Sequence, residues 1–418
     1  MSLRQGFKHL WIRVLALLSV LGPGIITANV DNDAGGITTY SVSGAHYGYA
    51  LLWLMPPLAL ALVLVQEMSA RLGVVTGKGL ADLIRETRGV RFTALILGIL
   101  LFANLANTIS EFAGVAASLE IFGVSKYLSV PVAALGVWLL IVKGSYRIVE
   151  KVFLAASAMY LTYVASGLLA HPRWPVVLES IHTVRFSYET GFLVMAVTII
   201  GTTIAPWMQF YQQSAIADKG LKPSDYAYAR LDVIAGSLFA IFVASFITIA
   251  CAATLYTNRI TIQTAEDAAL ALRPLAGPYA ASLFALGLLN ASLFSAAILP
   301  LSTAYGVCEA FGWESGVNRK IKDAPVFFGI FTAFIVLGAG VVLLPLRSLV
   351  ETMLLSQTLN GLLLPVILVV ILGLVNDRRL MGRYANGPLM NIVSWTLVAV
   401  LSLLTLALIL STLFPNLL

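Results

Sequence analysis

The stretch "DNDAGG", Asp31 to Gly36, places two carboxylates and a pair of glycines inside a long apolar run. The segment "LWIRVLALLSVLGPGIITANV" precedes it, and "ITTYSVSGAHYGYALLWLM" follows it. About 20 apolar residues cross a bilayer as a helix, so the two acids are expected at bilayer depth. Non-helical backbone is tolerated there only where it lines a cavity or is buried in protein. The stretch therefore predicts a broken transmembrane helix at a functional site, rather than a cap or loop in water.

The composition is that of a polytopic membrane protein. Of the 418 residues, 59% are hydrophobic and only 11% are charged, whereas soluble domains carry roughly 25% charged residues. Cys251 and Cys308 both lie in apolar stretches and are expected to be small packing residues without a disulfide. The sequence offers no nucleotide-binding loop, no His-Cys metal cluster and no Ser-His pair. We therefore expect neither an enzyme nor a cofactor.

Eleven apolar stretches are long enough to cross a bilayer. Most of the 26 lysines and arginines fall on one side of these spans if the N-terminus is cytoplasmic and the C-terminus is outside. This asymmetry is an orientation signal, so the net charge of +6 does not indicate nucleic-acid binding. The partner is the lipid bilayer, and residues 1–418 are expected to form a single transmembrane domain. The predicted cores are 11–44, 48–73, 93–122, 127–145, 150–170, 190–216, 232–256, 277–311, 325–344, 348–374 and 389–413.

A second interruption lies in the sixth span, in "IIGTTIAPWMQFYQQSAIADKG", where Gly201 and Pro206 disturb the helix. The two breaks correspond if spans one to five (about 11–170) and spans six to ten (about 190–374) are repeats, followed by an extra helix (about 389–413). Five spans in a repeat give the two halves opposite orientations. Interrupted helices in matching positions indicate a transporter binding site near the midplane. The predicted fold class is an all-α membrane protein of two inverted five-helix repeats plus an eleventh helix.

The chemistry of "DNDAGG" favours a cation as the ligand. Unwound backbone frees carbonyl oxygens, and a carboxylate among them makes a cation site. The glycines allow the chain to leave the helix without a side-chain penalty.

The segment "GPGIITANVDNDAGGITTYSVSGAHYGYALLWLM" resembles the first two helices of the NRAMP divalent-metal transporters. Residues 33–36 fall on that family's Asp-Pro-Gly-Asn motif, and residues 205–207 fall on its Met-Pro-His motif. "SEFAG" around Glu111 is similar to the acidic stretch of its third helix, and "SQTLNGLLLP" to its tenth. The resemblance implies a LeuT-type fold and divalent metal ions as transported substrates. We expect a monomer in a prokaryotic plasma membrane.

Two departures from the family pattern bear on the choice of metal. The family binds Mn²⁺ and Fe²⁺ partly through the methionine sulfur, but Ala205 has none, and Gly36 replaces the asparagine and is expected to leave space. Oxygen ligands suit Mg²⁺, Ca²⁺ and Mn²⁺, and Mg²⁺ usually keeps several waters. The pattern therefore points to the magnesium-transporting branch related to NRAMP. The predicted metal site comprises Asp33, Gly36, Ala205, Gln357, Asp31, Asn32, Asn360 and Glu111.

Proton coupling is expected to be absent. The aspartate of the family's third helix falls on Thr108, and its two histidines of the sixth helix fall on Trp207 and Gln212. Only Glu111 remains of that titratable set. The alternatives are a proton-coupled Mn²⁺/Fe²⁺ importer, a LeuT-fold permease for organic substrates, and a membrane scaffold or sensor.

Two further acids are expected to be structural. Glu67 lies at the end of a span, where a salt bridge or solvation would accommodate it. Asp232 lies near the start of the seventh span, where an acid suits the dipole of its own helix.

Overall fold

The computed structural model describes residues 22–144, 146–260, 262, 278–344 and 350–413. Within these ranges the chain forms helices and turns and no strand. The helices are α1 (Pro23–Val30), α2 (Ala34–Tyr47), α3 (Met55–Thr76), α4 (Leu80–Arg88), α5 (Val90–Glu120), α6 (Lys126–Lys143), α7 (Tyr146–Met159), α8 (Leu161–Leu169), α9 (Trp174–His182), α10 (Thr190–Thr203), α11 (Pro206–Lys219), α12 (Tyr226–Cys251), α13 (Pro278–Phe311), α14 (Pro325–Leu343), α15 (Val350–Asn376), α16 (Arg378–Met381) and α17 (Pro388–Leu413).

Ten helical segments of the described chain are long and apolar enough to cross a membrane. They match the predicted second to eleventh spans. The first predicted span is broken into α1 and α2, and its predicted start at residue 11 lies outside the described residues.

The first break separates α1 from α2 at Asp31–Asp33. Asp33 has an extended backbone (φ −73°, ψ −179°), and its side chain accepts a hydrogen bond from the backbone N–H of Gly36. This is the geometry of a helix N-cap, in which a side-chain oxygen satisfies one of the free N–H groups of the first turn. The chain therefore restarts as a helix at bilayer depth because an acid caps it.

The start of α1 is fixed by Asp232 of α12. The carboxylate accepts hydrogen bonds from the N–H groups of Gly22 (3.2 Å), Gly24 (2.7 Å) and Ile25 (3.2 Å). The expectation that Asp232 serves the dipole of its own helix is therefore wrong. Its own helix begins six residues earlier, at Tyr226, which is too far away for Asp232 to act on that helix start. Its side chain instead lies at the positive end of α1.

The second break separates α10 from α11 at Ile204 and Ala205. Pro206 has no N–H, so the carbonyl of Thr202 loses the helical partner it would have four residues later. Ala205 is extended (φ −72°, ψ 137°), and its carbonyl accepts from the N–H of Met208 at 3.1 Å. Proline at the first position of α11 leaves no free N–H of its own there.

Helices α10 and α15 meet through glycines. A Cβ atom at Gly201 would collide with the carbonyl of Gln357 and the backbone of Gly361. A Cβ atom at Gly361 would in turn lie 2.6 Å from the carbonyl of Val197. Small residues of this kind allow membrane helices to approach until their backbones touch. The tenth predicted span is thereby held against the broken sixth span.

The structural roles expected for Glu67 and the cysteines are confirmed. Glu67 and Arg71 of α3 form a buried salt bridge of 3.2 Å, and the hydroxyl of Tyr226 donates to the same carboxylate. Cys251 and Cys308 are both buried and unbonded to each other.

Candidate cation site

Asp33 is the acid on which the candidate site is built. It is 2% exposed, so although it caps α2 it is not in water. Its Oδ1 atom accepts from the N–H of Gly36 at 2.6 Å. Acidic side chains are rare at bilayer depth unless they serve a function.

The tenth span contributes one amide to this acid and a second amide that holds the first. The amide nitrogen of Gln357 lies 3.4 Å from Oδ1 of Asp33, and the Oε1 atom of Gln357 accepts from the amide of Asn360 at 3.1 Å. In this arrangement Gln357 turns its donor, rather than its oxygen, toward the acid. The oxygen that is left without a described partner is Oδ1 of Asn360.

Gly36 does not leave the space that the sequence suggests. A Cβ atom there would lie 2.6 Å from the carbonyl of Asp31 and 2.9 Å from Oγ1 of Thr202. The expectation of extra room is therefore wrong, because the unwound backbone of the first break folds back over this glycine. Gly36 therefore allows two backbone segments to come close together, and it does not line a cavity.

Asp31 and Asn32 are both buried in the first break, at 1% and 0% exposure. The amide of Asn32 donates to the carbonyl of Ala240 in α12 at 3.1 Å, which leaves its oxygen without a described partner. Neither carboxylate oxygen of Asp31 has a partner among the described residues. Buried polar groups are nearly always hydrogen-bonded, so these oxygens are available to a cation or its waters.

Glu111 of α5 reaches the same break. Its Oε2 atom accepts from the N–H of Ala34, the first residue of α2, at 3.1 Å. Its Oε1 atom has no partner among the described residues, and the side chain is fully buried. The structure thus brings three acids, Asp31, Asp33 and Glu111, to one helix start.

A hydrogen bond that sequence reasoning missed joins α2, which follows the first break, to α10, which ends at the second. The hydroxyls of Tyr40 in α2 and Thr203 in α10 lie 2.8 Å apart. Ala205 itself is 2% exposed and makes no described hydrogen bond to Asp33. Thr202 was also missed, although Pro206 four residues later is a signal that its carbonyl is unpaired.

Taken together, the arrangement offers oxygen to a cation. Within the described ranges, no three His, Cys, Asp or Glu side chains are grouped closely enough to hold a metal ion by themselves. A cation bound at the break would therefore take ligands from amides, carbonyls or water as well. Five residues at the two breaks and on the helices beside them have a buried side-chain oxygen without a described partner and are candidates to face such a cation: Asp31, Asn32, Glu111, Thr202 and Asn360.

Comparison with known sequences places the chain among metal transporters. Residues 24–411 match the family model described as natural resistance-associated macrophage protein-like. The "divalent metal cation transporter MntH" of Ralstonia nicotianae is 28% identical over 415 residues, covering 94% of this chain and 91% of the relative. The protein of the same name from Bacillus subtilis is 26% identical over 412 residues, covering 95% and 93%.

Comparison with solved structures confirms the predicted fold class. A crystal structure of the Eremococcus coleocola manganese transporter, in complex with an aromatic bis-isothiourea compound, superposes with a TM-score of 0.74. The identity is 22%, over 96% of this chain and 88% of that one. The structure of MhsT with L-phenylalanine gives a TM-score of 0.54 at 12% identity, over 93% and 98% of the two chains. The architecture is therefore the all-α, LeuT-type fold, with its first and sixth helices broken.

Proposed function

The chain belongs to the Nramp family, and from that premise we propose that it is a membrane transporter that moves Mg²⁺, and Mn²⁺ with it, without proton coupling. The observation that carries the proposal is the buried Asp33 at a helix break, beside amides and oxygens, with Ala205 in place of a sulfur ligand. The relatives named as divalent metal cation transporters support the broader part of it, that the substrate is a divalent metal ion.

The preference for magnesium rests on the donor atoms. The proposed ligands carry oxygen and no sulfur, and backbone carbonyls lie near Gly36 and Ala205. These side chains are Asp33, Asp31, Asn32, Asn360, Glu111 and Gln357, of which Gln357 would have to turn its oxygen away from Asn360 to reach the ion. Oxygen donors suit hard cations, whereas sulfur favours later transition metals. Several of these oxygens lack a described partner, which suits a cation that arrives with part of its hydration shell, as Mg²⁺ usually does.

The proposal of uptake without protons rests on the small number of titratable side chains near the site. A histidine is the usual group that titrates near neutral pH, but His46, His171 and His182 are all exposed at helix ends or in loops. Thr108, which stands where the family has an acid, donates its hydroxyl to the carbonyl of Asn104 at 2.7 Å. The membrane potential supplies a driving force instead, roughly 2.3 kcal/mol per elementary charge per 100 mV.

The test is flux into proteoliposomes under an inside-negative potential, with an indicator for Mg²⁺ or Mn²⁺ and a pH-sensitive dye. The proposal expects entry of both cations with no internal acidification beyond that of empty liposomes. Entry of Mn²⁺ alone would contradict the magnesium preference. Acidification that depends on the cation would support the alternative, a proton-coupled Mn²⁺/Fe²⁺ importer, for which the free oxygen of Glu111 is the supporting observation.

A further inference from the structure

The fifth span is interrupted at Tyr160, between α7 and α8. The N–H of Tyr160 donates to the carbonyl of Ser157 at 3.3 Å, and its carbonyl accepts from the N–H of Tyr163 at 3.1 Å. These bonds between residues three apart are those of a tight 3₁₀ turn, which inside a longer helix often marks a functional position. The sequence "ASAMYLTYVAS" contains neither proline nor glycine, so no helix-breaking residue accounts for the interruption.

The Tyr160 side chain is completely buried, and its hydroxyl has no hydrogen-bond partner among the described residues. A buried tyrosine hydroxyl usually finds a partner, because leaving it unpaired costs free energy. An unpaired buried group in a native protein points to a function or to a bound water or ion. The hydroxyl is both a donor and an acceptor, so it suits a water molecule held by a cation.

The groups around Tyr160 are those of the candidate cation site. Helix α7 packs against α1, and the side chain of Glu150 lies against Gly22 at the start of α1. Ten residues after Glu150, Tyr160 comes near the break that ends α1, beside Tyr163 and within electrostatic reach of Glu111, Asp33 and Asp31. Oε1 of Glu111 and both carboxylate oxygens of Asp31 also lack described partners. The hydroxyl therefore belongs to the same buried polar region as the free oxygens of the site, although it comes from a different span.

Tyr163, one turn further on, is a buried tyrosine of the same span whose side chain has different neighbours. It is also fully buried with an unpartnered hydroxyl. Its ring packs edge-on against Phe284, with centroids 5.1 Å apart, and lies 6.4 Å from the ring of Tyr160. The hydroxyl end of the Tyr163 ring lies against Gly287 of α13. The chain thus supplies a matched control for the hydroxyl of Tyr160.

We propose that Tyr160 is a specificity-determining residue of the cation path, whose hydroxyl holds a water of a partly hydrated divalent cation beside Asp33 and Glu111. The proposal rests on the proposed function, because it assumes that a divalent cation reaches this break. Mg²⁺ gives up its waters reluctantly and usually keeps several of them when it binds to a protein. In a buried site each of these waters needs a polar partner. Loss of the hydroxyl is therefore expected to weaken Mg²⁺ more than Mn²⁺.

The experiment compares Tyr160→Phe with Tyr163→Phe. Each change removes one oxygen and keeps the ring. Uptake of Mg²⁺ and of Mn²⁺ into proteoliposomes gives KM and maximal rate for each ion, and calorimetry on the purified protein gives their affinities. Tyr160→Phe is expected to raise the KM for Mg²⁺ about fivefold to tenfold, the loss of one buried hydrogen bond. The KM for Mn²⁺ is expected to change less, and Tyr163→Phe is expected to leave both unchanged.

Three results would overturn the proposal: wild-type constants in Tyr160→Phe, equal effects of the two substitutions, or an equal loss for both ions. If the wild-type protein carries Mn²⁺ and not Mg²⁺, the magnesium preference fails separately. In that case the role of Tyr160 is still supported if the KM for Mn²⁺ rises in Tyr160→Phe and not in Tyr163→Phe. An unchanged KM for Mn²⁺ in Tyr160→Phe overturns it. Thermal unfolding of both variants in detergent checks that they fold.

Discussion

The amide nitrogen of Gln357 and the carboxylate oxygen Oδ1 of Asp33 lie 3.4 Å apart, although 324 positions of the sequence separate them. The contact joins the last span of the second repeat to the break in the first span of the first repeat. An inverted-repeat transporter places its substrate at such a junction, where discontinuous helices meet. The pair therefore supports the proposed position of the cation site, between the two halves of the molecule.

Replacement of Asp33 by asparagine is predicted to abolish cation flux while preserving the fold. Asparagine caps a helix about as well as aspartate, so the bond to the N–H of Gly36 is retained and only the charge is lost. Mg²⁺ and Mn²⁺ uptake into proteoliposomes is the measurement, and the melting temperature in detergent is the folding control. Asp31→Asn is the companion variant. Normal flux in Asp33→Asn together with none in Asp31→Asn would move the site to Asp31.

A methionine at Ala205 is predicted to favour soft cations. Ala205→Met adds a sulfur next to the second break, and sulfur prefers Cd²⁺ and later transition metals to Mg²⁺. We expect the ratio of Cd²⁺ to Mg²⁺ affinity in calorimetry to rise about tenfold, equivalent to about 1.4 kcal/mol. Ala205→Leu has a similar size without sulfur and is the matched control. A similar shift in the leucine variant would attribute the effect to shape and refute the argument from ligand softness.

Any side chain at Gly36 is predicted to damage the site. In Gly36→Ala the new Cβ atom would lie 2.6 Å from the carbonyl of Asp31, which belongs to the backbone and has little freedom to move. Overpacking of this kind costs about 1–3 kcal/mol, and we expect a lower melting temperature and loss of flux. Gly98→Ala is the control, because nothing lies within 4 Å of the added atom. If both variants have the same melting temperature and the same flux, the close approach at Gly36 does not contribute to stability or transport.

Asp232→Asn is predicted to loosen the start of α1. One amide oxygen replaces a carboxylate that accepts from Gly22, Gly24 and Ile25. The lost charge at a helix N-terminus is worth about 1 kcal/mol. Amide hydrogen exchange of the peptide containing residues 22–30 is therefore expected to accelerate about fivefold, which is the factor for 1 kcal/mol. Asp225→Asn, at a half-buried acid that accepts from the N–H of Lys222, should not change this peptide. Equal exchange rates in both variants would show that Asp232 does not hold α1.

Glu111→Gln is predicted to weaken Mg²⁺ entry without abolishing it, because the amide keeps an oxygen for the ion and loses only the charge. The glutamine oxygen still accepts from the N–H of Ala34, so the start of α2 keeps its partner while the titratable group is removed. The measurement is flux in liposomes that carry a pH-sensitive dye. A Mg²⁺-dependent acidification in the wild-type protein that disappears in Glu111→Gln would identify Glu111 as a coupling residue and refute uptake without protons.

The parts of the molecule that local sequence determines were predicted well. The breaks at Asp31–Asp33 and at Ala205 follow from acids, glycines and a proline in apolar runs, because these residues change the backbone wherever they occur. The resemblance to a known family supplied Gln357 and Asn360, and the structure brings Gln357 to Asp33 and Asn360 to Gln357.

The parts that tertiary contact determines were not predicted. Nothing near Asp232 in the sequence indicates that it caps a helix about 210 positions away. The filled space at Gly36 depends on the path of the unwound chain, which composition does not specify. Tyr160 carries no sequence signal either, since an aromatic residue in an apolar span is usually a packing residue.

The contact of Gly201 with the backbone of Gln357 and Gly361 has a practical consequence for following the transport cycle. Because the backbones of α10 and the early part of α15 touch at these glycines, we expect the two segments to move together. Leu355 projects from that part of α15 and is 57% exposed. A spectroscopic label at Leu355 would therefore report the movement of α10, half of the broken sixth span, without altering any residue that faces the ion.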